Sequence, residues 1–158
     1  SRLYILAHRK NSKIECTLLF KSKKMTSEVS YQGNLRTSCT HLKSDSSIET
    51  DAPTDNNGNG LRFSPTDLVA TALASCMITV MGIRAHKSKI PFADITATVL
   101  KVMGTDPRRI TEIQVEVVVG DDWNENQRKL MEQVALNCPV AQSLSPELIQ
   151  NVRFVYTN

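Results

Sequence analysis

Ser64-Pro65-Thr66-Asp67 constrains this chain more than any other stretch. Ser64 can accept from the free N–H groups that begin a helix, and Pro65 sits where its missing N–H costs nothing. Asp67 takes the acidic third position of a capping box. Beyond it Leu68, Val69, Ala72, Leu73, Cys76, Met77, Val80 and Met81 recur at intervals of three and four. That spacing predicts a helix with a broad buried face. The pattern reaches about His86, with Gly82 as the expected weak point or kink. A helix of this length spans about 33 Å at 1.5 Å per residue, and it is the core element.

The remaining segments read as layers for that helix. From Met25, Val29 and Tyr31 alternate with polar neighbours, Gln32-Gly33-Asn34 supplies a turn, and residues 35–42 return as a second strand. A short segment around Ile48 follows, then a loop over 51–60 whose glycines match no phosphate-binding spacing. Residues 92–103 read as a strand with apolar residues on both faces. Gly104-Thr105-Asp106-Pro107 turns the chain, and Ile113, Val115, Val117 and Val119 alternate as a half-buried antiparallel partner. Trp123 anchors the start of a second helix that buries Leu130, Met131 and Val134 and reaches about Asn137. Ser145-Pro146-Glu147 reads as another helical turn, and residues 152–156 as a closing strand. The order predicts an α+β fold with helices on antiparallel sheet.

Charge narrows the partners. The formal net charge is +3 over 158 residues, but residues 1–24 hold seven basic side chains against Glu15, or +6, and residues 25–158 carry −3. The body therefore has no cationic excess for gripping phosphates, and no nucleic acid partner is expected. Met25 reads as a natural start, making 1–24 a basic extension that need not be native, and 25–158 the domain. A basic arm binding nucleic acid or membrane is the lesser alternative for 1–24. No run of 18 apolar residues is present, so no membrane span is expected.

Cys16, Cys39, Cys76 and Cys138 are spaced by 23, 37 and 62 residues, which fits neither a zinc knuckle nor a CxxC redox motif. No secretory pattern opens the chain, so reduced thiols in the cytoplasm are expected, with no metal and no cofactor. On the apolar stripe, Cys76 alone reads as core filler. Cys138 precedes Pro139, which interrupts the second helix and can begin a short new one through Leu144. A thiol at that N-cap is acidified by unpaired N–H groups and the helix dipole. Residue chemistry alone therefore favours Cys138 as the thiolate.

Pro65 with Asp67-Leu68 and Ser75-Cys76-Met77, and later Asn137-Cys138-Pro139-Val140, resemble the two thiol motifs of the OsmC/Ohr family. Tyr31-Gln32-Gly33-Asn34-Leu35-Arg36, His41, Thr50-Asp51-Ala52-Pro53 and Phe63-Ser64-Pro65 are similar to a branch distinct from the best-described organic hydroperoxide reductases. The resemblance covers about 25–158. It implies an intertwined homodimer with a long central helix from each subunit, and a thiol-dependent hydroperoxide reductase acting on small organic or inorganic hydroperoxides. By this analogy Cys76 is the peroxidatic thiol, Cys138 the resolving thiol, and an external thiol reductant restores the pair. The family's thiolate-binding arginine matches Arg36 best by position, with Arg62 as an alternative. Asp67, His41 and Glu49 are possible supporting residues. Thr66 departs from the pattern, because the well-known peroxidases carry glutamate there to pair with the arginine. A non-catalytic dimeric module binding an apolar ligand and a thiol redox sensor are the alternatives.

Overall fold

A computed structural model describes residues 25–158; the expected basic extension over 1–24, with Cys16, lies outside the described residues. The fold is α+β and divides into two compact units, the first ending at Phe63 and the second spanning Ser64–Asn158.

The first unit holds a three-stranded antiparallel meander: β1 (Ser27–Gly33), β2 (Arg36–His41) and β3 (Ser47–Asp51). Its first turn places Gly33, Asn34 and Leu35 at positive φ, where Gly and Asn are tolerated best. The β2–β3 register sets Arg36 opposite Asp51 and Thr37 opposite Thr50. After Asp51 the loop expected from sequence contains one 3₁₀ turn, Thr54–Asn56. It is tied by Gly58 N–H to Pro53 O at 3.0 Å and Gly60 N–H to Ala52 O at 3.2 Å. Gly58 lies so close to the Ala52 backbone that any side chain there would collide with it.

The second unit begins with the long helix α1 (Pro65–Ser88). Its start is the capping box read from the sequence: Asp67 N–H donates to Ser64 Oγ at 3.1 Å, and Ser64 N–H donates to Asp67 Oδ2 at 2.7 Å. Lys89, at positive φ, closes the other end. The helix continues through Gly82 without interruption, so Gly82 is no break. A Cβ there would meet Phe92 at 3.2 Å, which makes the glycine a seat for that ring.

Behind α1 lie β4 (Ile95–Thr105), β5 (Arg108–Val119) and β6 (Ile149–Tyr156), ordered β4-β5-β6. The β4–β5 hairpin turns through a cis Asp106–Pro107 bond. The closing strand corrects the all-antiparallel expectation, since β6 pairs parallel to β5. The reason is topological: α2 (Glu125–Leu136) and α3 (Pro139–Ser143) lie between β5 and β6 and form the crossover that a parallel pair requires. Residues 145–148 make a turn rather than the expected helical one.

Ile113, Val115, Val117 and Val119 are buried in alternation on β5. They meet Leu73, Met77 and Met81 of α1, Met131 and Ala135 of α2, and Trp123 in one core. Trp123 Nε1–H donates to Pro91 O at 2.7 Å, and its ring stacks on Phe92 at 6.0 Å. The buried side of α1 is Ala70, Leu73, Ala74, Met77, Met81 and Ala85. Val69 is 40% exposed and Ala72 is exposed as well. The expected stripe was therefore rotated partly outward, because α1 is apolar nearly all round and spacing alone selects no single face. The same composition overturns the exclusion of a membrane-length segment. An 18-residue window of α1 has a mean hydropathy of 1.7, enough by length and composition to cross a membrane. Its six fully buried residues pack in the protein core.

Lys101 of β4 secures the head of α1, with Nζ at 2.6 Å from Asp67 Oδ1, 2.8 Å from Thr66 Oγ1 and 3.3 Å from Ser64 Oγ. Burial pushes the Asp67 carboxyl up, but Lys101 and Ser64 outweigh it and hold it below its ordinary value. A depressed folded pKa contributes stability above the unfolded value, about 3.9, and loses it as pH falls through the folded value. Acidification below about pH 4 should therefore lower the urea midpoint, and Asp67→Asn should make that fall shallower while lowering the midpoint at neutral pH. Ser64→Ala should cost about 1 kcal/mol in urea denaturation at neutral pH.

Candidate active site

The two cysteines singled out in the sequence both lie within the second unit. Cys76 lies midway along α1, half-buried beside the core. Cys138 caps α3, as its place before Pro139 implied, and is 1% exposed. The chain reaches it because Asn137 ends α2 and Pro139 opens α3 at N1, where a proline is tolerated. Both cysteines are free, and the Cys76 thiol is near enough to Cys138 to help raise the Cys138 pKa.

The acidity expected for Cys138 is reversed. Its Sγ does accept from Ala141 N–H at 3.4 Å, and that contact lowers the pKa. Burial is the larger effect, however, and together with Cys76 it raises the thiol above its ordinary value. A five-residue helix offers little dipole against the cost of burying a thiolate. Cys138 is thus held as a protonated thiol against Cys76.

In the first unit, Arg36 is gripped by Asp51. Nε donates to Oδ1 at 2.6 Å and Nη2 to Oδ2 at 2.9 Å, a two-point pairing across β2 and β3. The Asp51 side chain is 2% exposed and that of Arg36 28%. The hydrogen bond to Arg36, opposed by burial, holds the Asp51 carboxyl below its ordinary value. Arg62 is more exposed, donates from Nε to Glu49 Oε2 at 3.1 Å, and turns Nη1 to Leu61 O. Glu49 is therefore engaged by Arg62, the alternative cation. His41 Nδ1 lies 2.7 Å from Ser44 Oγ at the end of β2. With Cys39 it lines a shallow depression of about 260 Å³.

Asp67 is committed to the helix cap and Lys101. Thr66, at the position where the family carries its acid, bonds Lys101 and lies 3.0 Å from Ser64 Oγ. Sequence reasoning missed Lys101 and the carboxylate of Asp51 that pairs with Arg36. Lys101 looked like one lysine on a strand, and only the β4–α1 packing reveals its target. Asp51 faces Arg36 through strand register, which a turn of unknown length hides. Among the described residues no group of three or more His, Cys, Asp or Glu side chains could hold a metal ion.

A reduced thiol pair, one member on a long core helix and the other at the cap of a short one, defines a thiol-bearing α+β protein. The OsmC-like protein family profile matches residues 58–150, and the chain belongs to the OsmC/Ohr family. A protein from Psychrobacter arcticus, provisionally described as an osmotic stress induced and detoxification response protein, is 48% identical. Its TM-score is 0.81, with 84% of this chain and 96% of that one covered. An OsmC-like protein from Mycoplasma pneumoniae is 17% identical with a TM-score of 0.70, over 86% and 99% of the two chains. A Legionella pneumophila protein described as an organic hydroperoxide resistance protein OsmC, predicted redox protein and regulator of sulfide bond formation is 16% identical. It covers the same shares of the two chains with a TM-score of 0.62. The last two likenesses establish the fold alone. No curated protein matches the chain.

The difference in burial gives a direct measurement. Iodoacetamide on the native protein, followed by peptide mass spectrometry, should label Cys76 well before Cys138. In 6 M guanidinium the two should react at similar rates, since unfolding removes the protection of Cys138.

Proposed function

We propose that this protein is a thiol-dependent hydroperoxide reductase in which Cys76 attacks and Cys138 resolves. The observation that carries the reading is that the two thiols are near enough for Cys76 to raise the Cys138 pKa, one being half-exposed and the other buried and protonated. The Cys76 thiolate attacks the distal oxygen of ROOH, the O–O bond breaks, and the alkoxide leaves as ROH after taking a proton. Cys76 becomes a sulfenic acid. Cys138 then attacks Cys76 Sγ, the hydroxyl departs as water with the Cys138 proton, and a disulfide forms. An external dithiol reduces it, which suits a cytoplasmic setting. The name of the Legionella relative, organic hydroperoxide resistance protein, supports organic peroxides as the substrate class.

Arg36 is assigned the support of the Cys76 thiolate and of the charge developing on the peroxide. Its two-point bond to a buried carboxylate favours it over Arg62, whose exposed guanidinium is tied to Glu49 and a carbonyl. The homodimer expected of the family is supported by the outward side of α1, where Val69 and Ile83 are 40% and 52% exposed. A helix apolar all round is stable when covered all round, and a second copy of α1 would cover it.

One equivalent of cumene hydroperoxide should remove the Cys76 and Cys138 thiols and lower the intact mass by two hydrogens. Cys76→Ser should abolish peroxide consumption, whereas Cys138→Ser should leave a single oxidation that dimedone traps as sulfenic acid. Absence of the Cys76–Cys138 disulfide after peroxide exhaustion would sink the reading. If disulfide reagents form it while peroxide reacts no faster than with free cysteine, the protein is a thiol redox sensor, the reading favoured by Thr66 in place of the family acid. Sedimentation should give twice the 17.6 kDa chain mass, and Ile83→Lys should shift it toward monomer.

A further inference from the structure

A helix of five residues, such as α3, has too few internal hydrogen bonds to offset the cost of starting one. It is held from outside. Cys138 Sγ accepts from Ala141 N–H at 3.4 Å, and Cys138 O accepts from Gln142 N–H at 3.1 Å. From β6, Gln150 Nε2 donates to Ala141 O at 3.0 Å. Val140 and Leu144 pack on the edge of the core beside Ala141, which is 6% exposed. The backbone N–H and carbonyl of Ala141 are thus engaged by two side chains, the Cys138 sulfur and the Gln150 amide.

Capping α3 and closing a disulfide call for different positions of the same sulfur. Cys76 and Cys138 are both free. Two non-bonded sulfurs stand about 3.5 Å or more apart, whereas a disulfide holds them at about 2.05 Å with a dihedral near 90°. Bonding therefore needs about 1.5 Å of travel between them. Cys76 sits midway along a 24-residue helix whose Leu73, Met77 and Met81 are locked in the core. Cys138 sits at the joint between α2 and a helix of five residues, so Cys138 is the partner that moves. Drawn toward α1, its sulfur leaves the N–H···S contact, and Ala141 N–H is left buried without that acceptor. Such an orphaned donor disfavours the closed segment about 5- to 150-fold.

We propose that closing the Cys76–Cys138 disulfide takes the cap from α3, so that residues 138–144 open in the oxidised protein and close again on reduction. The device rests on the reading of Cys76 and Cys138 as a redox pair. The two thiols give up two electrons and two protons to the hydroperoxide, which leaves as ROH and water. Opening breaks the Gln150–Ala141 latch and turns Val140 and Leu144 away from the core edge. It also uncovers a sulfur that is 1% exposed in the reduced protein. The external dithiol then meets an accessible disulfide, and reduction returns the sulfur to its place at the cap.

The test is amide hydrogen exchange on the full chain, read by peptide mass spectrometry, with the Cys76–Cys138 bond verified by peptide mass. The reduced protein is compared with samples oxidised by one equivalent of cumene hydroperoxide or by diamide. Oxidation should speed exchange over residues 138–144 about 5- to 150-fold. Exchange along α1 should stay as it was, and dithiothreitol should reverse the change. Cys138→Ala, which has neither cap nor disulfide, should exchange fast over this segment even when reduced. Cys138→Ser, whose hydroxyl is a good cap, should stay slow with and without oxidant. A verified disulfide with residues 138–144 as protected as before would overturn the proposal and leave the reductase reading intact. Equal protection in Cys138→Ala and the reduced parent would also overturn it, as would acceleration spread along α1, which is general loosening. If diamide forms the bond and peroxide does not, faster exchange upholds the device while the reductase reading falls. No disulfide with either reagent would overturn both.

Discussion

The capped, lysine-anchored head of α1 is the constraint on which the rest of the second unit depends. A helix of 24 residues that is apolar on almost every side has little in its own surface to fix its rotation about its axis. What fixes it is the reciprocal pair of hydrogen bonds between Ser64 and Asp67, together with Lys101 reaching from β4 into the same cluster. These bonds join the first turn of the helix to one strand. Leu73, Met77 and Met81 then face the valines of β5. Because the rise per residue is fixed, choosing which residues enter the core also chooses where Cys76 emerges. A polar cluster of four side chains thus sets the position of a thiol about 13 Å further along the helix.

Cys138 shows how two local rules can oppose one another. The N-cap position offers a hydrogen bond from Ala141 N–H and favours the thiolate, whereas burial favours the thiol. Burial wins because a single weak N–H···S contact replaces far less solvation than a thiolate loses in leaving water. Chemical consequence follows from that order. A buried protonated thiol competes poorly for reagents in solution. The difference in burial between the cysteines is compatible with the roles proposed for them.

Much of this was legible in the sequence, and for stated reasons. The capping box, the cap at Cys138, the β4–β5 hairpin and the alternation of Ile113, Val115, Val117 and Val119 depend on neighbours close in sequence, so residue type and spacing sufficed. What failed involved distant partners. The outward placement of Val69 and Ala72 depends on which side of α1 the sheet covers, and an all-apolar helix carries no mark of that. The parallel course of β6 depends on where α2 and α3 deliver the chain. The rise in the Cys138 pKa depends on the core closing over it. Lys101 and Asp51 were passed over because a single charged residue on a strand has meaning only once its partner across the ladder or layer is known.

Thr66 then changes meaning. Read along the chain it is a missing carboxylate, and so a weakened peroxidase. In the fold, the position is occupied by a different electrostatic arrangement: Lys101 supplies the charge, Asp67 answers it, and Thr66 bridges by its hydroxyl. Arg36 meanwhile has its own carboxylate across the strand ladder, closer to buried than any acid on the first turn of α1. The two cations are each satisfied by an acid from their own unit, Lys101 by Asp67 and Arg36 by Asp51. Threonine at 66 thus completes the polar cluster at the head of α1, while the Arg36 guanidinium is fixed within its own unit by a cross-strand aspartate.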